Sequence, residues 1–225
     1  MFDLPNLDDK QLMFDSGVTW HLTTTNDRIG KFLAHYEAYK MIKDIAGDIV
    51  ECGVYNGNTL SFMGLITDKF NLEKKIWGYD TFDGFILDSF SNKDVDFKTG
   101  RKVNYVSSDI YYSLNEVKKN IIENDPNKFD KYIFVQGDIL KTLNEEKNLP
   151  KNISFLRLDT DIYKTTKKQL EVLFDRVVVG GILHIDDYGI CPGVKEAVDE
   201  FFCKKKIWLH RVDMSCRYLI KDKTL

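Results

Sequence analysis

Residues 155–189 read FLRLDTDIYKTTKKQLEVLFDRVVVGGILHIDDYG, and the placement of their acidic residues decides the fold. An apolar run, Ile153 to Leu158, stops at Asp159 and Asp161. A helical pattern and Gly180-Gly181 follow, and a second apolar run, Ile182 to Ile185, stops at Asp186 and Asp187. Consecutive parallel strands joined by a helix end on the same edge of an open sheet, and ligands bind along that edge. The two acidic pairs therefore converge. Four crowded carboxylates repel one another unless a cation or a proton intervenes, which marks a candidate hard-metal site with oxygen ligands.

Earlier in the chain the same strand-then-helix order appears twice. Asp48 to Cys52 reads as a short buried strand that leads through GVYNGNT into a helix from Leu60 to about Phe70. Gly53 and Gly57 let the backbone approach a ligand, and the helix N-terminus offers free N–H groups, although a glycine turn that merely joins strand to helix has the same look. Lys75 to Tyr79 makes the second strand and ends at Asp80 in YDTFDGF. A carboxylate at that position is placed to hold a ribose diol, with a turn or cap residue as the structural alternative. Tyr132 to Gln136 is the third strand, followed by Asp138, which suits either a base amino group or a simple turn.

The remaining segments complete one unit. Ile29, Phe32, Leu33, Tyr36, Tyr39 and Ile42 fall at helical spacing, predicting a helix from about Arg28 to Ile45 capped by Asn26 or Asp27. Residues 1–27 read as an extended arm. The polar segment from residue 86 to about 108 is longer than an ordinary connection and reads as a lid or a surface insertion. Leu114, Val117, Ile121 and Ile122 mark a helix, and Pro192 opens another with Val194, Ala197, Val198, Phe201 and Phe202 on one face. Ile207 to Val212 and Arg217 to Ile220 form a terminal hairpin around Asp213-Met214-Ser215. Seven strands result, five in alternation with helices and a final antiparallel pair.

The totals bound the function. A chain of 225 residues with 43% hydrophobic content buries a full core as a single domain, residues 1–225. A formal charge of -3 gives no bulk attraction to nucleic acid or an anionic membrane, and no run of spanning length or secretory leader is seen, so a cytoplasmic protein is expected. Cys52, Cys191, Cys203 and Cys216 lack metal-binding spacing and read as buried thiols. His184 lies inside a strand beside the acidic pair, as a metal or substrate contact or, by strand alternation, as a structural histidine on the other face.

GDIVECGVYNGNTLSFM, YDTFDGF, FVQGDILKTL, LRLDTDIYKTT, GGILHIDDYG and PGVKEAVDEFF together resemble the macrocin O-methyltransferase (TylF) family. These are class I S-adenosylmethionine-dependent methyltransferases with an α/β, Rossmann-like seven-stranded sheet, mostly parallel with an antiparallel C-terminal hairpin. The resemblance runs from about residue 28 to residue 202 and into the last hairpin, with Lys164-Thr165 where the family often has Glu-Ser and Asn58 where a third glycine is common. It implies that Glu51, Gly53, Tyr55 and Gly57 line the methionine end of S-adenosylmethionine, that Asp80 holds the ribose, and that Asp138 sits at the adenine. It also implies a divalent ion, usually Mg2+, on Asp159, Asp186 and Asp187. Asp161 becomes the candidate general base, with Tyr163, His184 and Tyr188 near the acceptor. The implied activity is metal-dependent O-methylation of a small-molecule or saccharide acceptor. A small phenolic or phosphoryl-containing acceptor is the alternative, and Asp159-Thr160-Asp161 also spells the D-x-D of metal-dependent glycosyltransferases. Self-association is left open.

Overall fold

The computed structural model describes residues 26–96, 98–101, 111–124 and 129–225. Most of the N-terminal arm and residues 102–110 of the insertion lie outside this set. The apolar runs form strands β1 (Asp48–Cys52), β2 (Ile76–Asp80), β3 (Tyr132–Gln136), β4 (Ile153–Leu158) and β5 (Val177–Ile185), all parallel. β6 (His210–Arg211) and β7 (Arg217–Ile220) close the sheet antiparallel, giving the order β3-β2-β1-β4-β5-β7-β6. This is the expected seven-stranded architecture. The order reverses between β1 and β4, so their C-terminal ends flank the crevice where such sheets bind ligands.

Helices cover both faces. Helices α1 (Asn26–Ile42), α2 (Asn58–Lys69) and α3 (Leu114–Asn124) bury Tyr39, Ile42, Met63 and Val117 against Ile49 and Phe155. On the other face, α4 (Ile139–Thr142), α5 (Tyr163–Leu173) and α6 (Pro192–Phe201) pack Leu143, Leu170 and Val198 against Val50, Leu156 and Leu183. Each strand therefore contributes alternate residues to the two cores. Among the described residues no helix is long and apolar enough to cross a membrane.

Three local expectations change. Gly180-Gly181 does not precede β5 but lies inside it: Gly180 adopts φ +84°, and the β4–β5 register shifts between Ile153 and Phe155. The glycines thus absorb a kink instead of ending the helix connection. β6 is reduced to two residues, because Ile207 to Leu209 approach no ladder partner and pack partly onto the core through Ile207 and Leu209. Of the four thiols, Cys52 and Cys216 are buried, whereas Cys203 is exposed beyond the end of α6.

Candidate active site

The crevice is stitched together by backbone hydrogen bonds that cross the strand ends. Asp159 N donates to Cys52 O (2.8 Å), Gly53 N to Tyr79 O (2.8 Å) and Asp186 N to Leu158 O (2.9 Å). Gly53 has φ +90°, and a Cβ there would lie 1.8 Å from Asp159 O, so the turn after β1 and the turn after β4 touch through a glycine that no other residue can replace. A cavity of about 390 Å³ opens over these ends. It runs from Asp138 and Ile139, after β3, past Gly53, Tyr55 and Asp80, to Asp159, Thr160 and Asp161, after β4. Phe85, Ile86 and Ser89 of the insertion, with Tyr111 and Tyr112, form its outer wall.

The residues expected at the cofactor separate into two groups. Gly53, Tyr55, Asp80 and Asp138 line the cavity, whereas Glu51 and Gly57 do not. Glu51 shares its strand face with Ile49, beneath α1, so its carboxylate is buried in the sheet's other side and bonded to Arg157. Gly57 is the left-handed cap before α2, where a Cβ would lie 2.9 Å from Val117 Cγ1 of α3. Its role is helix packing, and the amide of Asn58 is already taken by Asn56 Oδ1.

Asp80 also serves the fold. Its Oδ2 accepts from Val54 N (2.7 Å) and Tyr55 N (3.1 Å), and its Oδ1 from Phe82 N (2.8 Å). The Thr81 hydroxyl gives its one proton to Gly84 O (2.6 Å), so Oδ1 keeps an acceptor site on the cavity wall. Asp80 shapes the wall by pinning the glycine turn. Asp138 lines the cavity, and its Oδ1 caps α4 by accepting from Leu140 N (3.0 Å).

The acidic pairs converge as the strand ends demand. Carboxylate oxygens of Asp159, Asp186 and Asp187 all lie within 4.8 Å of one another. Asp159 borders the cavity, and Asp186 and Asp187 are buried behind it. Asp161 has φ +63°, so the chain has left the strand and the alternation that would put it on Asp159's face no longer applies. Its carboxyl instead forms a hydrogen bond with Asp187.

Two cations hold this cluster, and neither stands out as a site residue in the sequence. Arg157, central in β4 and buried, donates from Nη1 to Glu51 Oε1 (2.7 Å) and Asp159 Oδ2 (2.6 Å), and from Nη2 to Asp186 Oδ1 (2.8 Å). Lys31, on α1, donates to Asp186 Oδ2 at 2.6 Å. A charged residue inside an otherwise apolar strand is the one signal that could have flagged Arg157, since a buried charge requires a partner. Nothing local marks Lys31, whose partner is 155 positions away.

The protonation pattern records an excess of negative charge. Among the described residues, five carboxyl groups (Glu51, Asp159, Asp161, Asp186, Asp187) face two cations. Burial, then the repulsion of Asp186 and Asp187 working against the attraction of Arg157, leaves Asp159 well above the usual carboxylate range. Burial and the hydrogen bond to Asp161 push Asp187 up to about 9, and burial pushes Glu51 up to about 8. Asp186 alone is held well below the usual range: burial opposes its charge, but Arg157 and Lys31 outweigh it. Crowded carboxylates whose repulsion raises their affinity for protons favour a cation in the same place. The all-oxygen donor set suits a hard divalent cation, so the residues present fit the ion.

Residues expected near the acceptor are partly drawn elsewhere. Tyr163 Oη donates to Glu200 Oε2 (2.6 Å) and Tyr188 Oη to Asp199 Oδ1 (2.7 Å), both on α6. His184 faces α1, its ring tilted against that of His35 (4.7 Å between centroids), and burial with the nearby Arg157 lowers it to about 3. It is a neutral structural histidine. The insertion is fixed to the same helices: Asp94 Oδ1 accepts from Tyr163 N (2.7 Å), Lys93 pairs with Glu196 and Glu200, and Lys164 Nζ donates to Asp88 O (2.7 Å).

Comparison with known proteins agrees with this geometry. The family described as Macrocin-O-methyltransferase (TylF) matches residues 15–221. The chain is 30% identical over 166 residues to the Demethyldecarbamoylnovobiocin O-methyltransferase of Streptomyces niveus, covering 72% of this chain and 60% of that protein. It is 27% identical over 158 residues to the 8-demethyl-8-(2,3-dimethoxy-alpha-L-rhamnosyl)-tetracenomycin-C 4'-O-methyltransferase of Streptomyces olivaceus, covering 70% and 58%. The matches thus span about three-fifths of the length of these curated relatives. Among solved structures, the O-methyltransferase NovP superposes with TM-score 0.76 at 26% identity, covering 87% of this chain and 81% of that one. CalS11, a calicheamicin methyltransferase, shares the fold at TM-score 0.75 and 19% identity, covering 97% and 87%.

Proposed function

The chain belongs to the macrocin O-methyltransferase (TylF) family, and from that membership we propose that it moves a methyl group from S-adenosylmethionine to a hydroxyl of a sugar or glycoside-type acceptor, assisted by a divalent cation such as Mg2+. The observation that carries this reading is the shared wall at Asp159 to Asp161. The cavity sized for a nucleoside ligand ends there, and the three-carboxylate cluster begins there.

Along the cavity, Asp138 and Ile139 would take the donor's adenine, the turn that Asp80 pins its ribose, and Gly53, Tyr55 and Thr160 its methionine portion. The sulfonium methyl needs an in-line nucleophile held close, so the chain's work is largely positioning. Asp159, Asp186 and Asp187 would hold the divalent ion, which when bound would supply Lewis acidity that makes an acceptor hydroxyl easier to deprotonate. Asp161 takes the proton. It borders the cavity, it is not one of the three ligands, and burial lifts its carboxyl to about 6, close to the working range of a base. Arg157 orients Asp159 and Asp186 from behind. The outer wall of Phe85, Ile86, Tyr111 and Tyr112 supports a cover over the site that excludes water.

The glycoside class of acceptor is supported by the relative whose name carries a rhamnosyl group. A D-x-D glycosyltransferase is disfavoured, because the carboxylates gathered with Asp159 are Asp186 and Asp187 at the end of the next strand, which that motif does not include. The test is a screen of nucleotide-linked and glycan-linked sugars with labelled S-adenosylmethionine. Metal-dependent label in a sugar hydroxyl is the expected result, and binding of nucleotide sugars without any response to S-adenosylhomocysteine would overturn the reading.

A further inference from the structure

Asp186 accepts from two cations of different character. Arg157 is 5% exposed at its side chain and engages three carboxylates through its planar fork, so it cannot leave without stranding Glu51. Lys31 is 18% exposed, has a flexible four-carbon stem and pairs with Asp186 at 2.6 Å. It comes from the first turns of α1 and takes Oδ2 of Asp186, whereas Arg157 takes Oδ1. Its ammonium therefore lies within hydrogen-bonding distance of an oxygen in the three-carboxylate cluster. A divalent ion on the same carboxylates would face that ammonium at close range, like charge against like charge.

We propose that Lys31 is the resident counter-cation of the carboxylate cluster, and that loading of the divalent ion displaces its ammonium from Asp186. This rests on the metal reading above and adds to it a regulation of the site by α1. With the ion absent, Lys31 ties α1 to the end of β5 and offsets part of the carboxylates' repulsion. With the ion bound, that tie is released, and Phe32 against Phe62, with Ala38, Tyr39 and Ile42 further along the helix, keeps α1 on the sheet. Lys31 is a positioning residue here and does no chemistry.

The experiment is calorimetric titration of the full chain with Mg2+, with no methyl donor or acceptor present, on wild type, Lys31→Gln and Lys31→Arg. Thermal melts are run with and without the ion. Removing the competing charge should tighten Mg2+ binding about tenfold or more in Lys31→Gln, while Lys31→Arg, which keeps the charge, stays near wild type. The ion-free Lys31→Gln protein should melt earlier than wild type and gain more from added Mg2+. Unchanged or weaker Mg2+ binding in Lys31→Gln, in a protein that still binds S-adenosylhomocysteine, overturns the displacement. Absence of Mg2+ binding in wild type and variants alike overturns the metal reading itself, and the displacement with it.

Discussion

Arg157 Nη1 stands 2.7 Å from Glu51 Oε1, a pair of buried residues on adjacent strands whose partners lie 106 positions apart in sequence. The register of β1 and β4 puts them directly opposite each other. Removing one partner of a buried ion pair leaves an uncompensated charge, which typically costs about 3–5 kcal/mol. Arg157→Met should therefore lower the urea midpoint sharply, and the double change Glu51→Gln with Arg157→Met should recover part of the loss. Equal destabilisation of the single and double variants would show that the pair is not coupled.

Asp161 and Asp187 form a hydrogen bond on the cavity side of the cluster. Burial raises Asp161 to about 6, and a base acts only when deprotonated. The rate should thus climb as pH rises through roughly 6 and be lost below it. In Asp161→Asn the turnover should fall by about 10²–10⁴-fold and that pH limb should disappear, with S-adenosylhomocysteine affinity kept. A retained limb would move the base elsewhere.

Asp187 carries a proton at neutral pH, because burial and its bond to Asp161 raise it to about 9. Metal ligands must be deprotonated, so Mg2+ binding should release about one proton at pH 7. Titrations in buffers of different ionisation enthalpy count it. Chelation, or Asp187→Ala, should abolish turnover and leave cofactor affinity nearly unchanged, while full activity after chelation would remove the ion from the reaction.

Asp94 joins the insertion to α5. Its Oδ1 accepts from Tyr163 N, and its Oδ2 from Ser91 N (2.7 Å) and Ser91 Oγ (2.8 Å). Losing a helix cap costs about 1 kcal/mol. Asp94→Ala should show that loss by denaturation, together with severalfold weaker S-adenosylhomocysteine binding, because Phe85, Ile86 and Ser89 of the same segment wall the cavity. Undiminished cofactor affinity would separate the anchor from the wall.

Apolar runs ending in carboxylates carried the architecture in the sequence itself. Burial is a local property of such runs, and the handedness of strand-helix-strand units sends their ends to one edge, so Asp159, Asp186 and Asp187 could be brought together without coordinates. What tertiary structure decided was everything that depends on which face a residue takes and which distant charge it meets. Glu51 was expected at the cofactor and lies beneath α1, because strand parity sets it beside Ile49. Asp161, two residues after Asp159, would share its face only if the strand continued, and a positive φ turns it toward Asp187. Asp80, read as a ribose ligand, also pins the glycine turn through its Oδ2. Arg157 and Lys31 entered the site through partners 106 and 155 residues away. Periodicity encodes which residues avoid water, whereas ion pairing depends on through-space distances that exist only once the sheet and α1 have assembled.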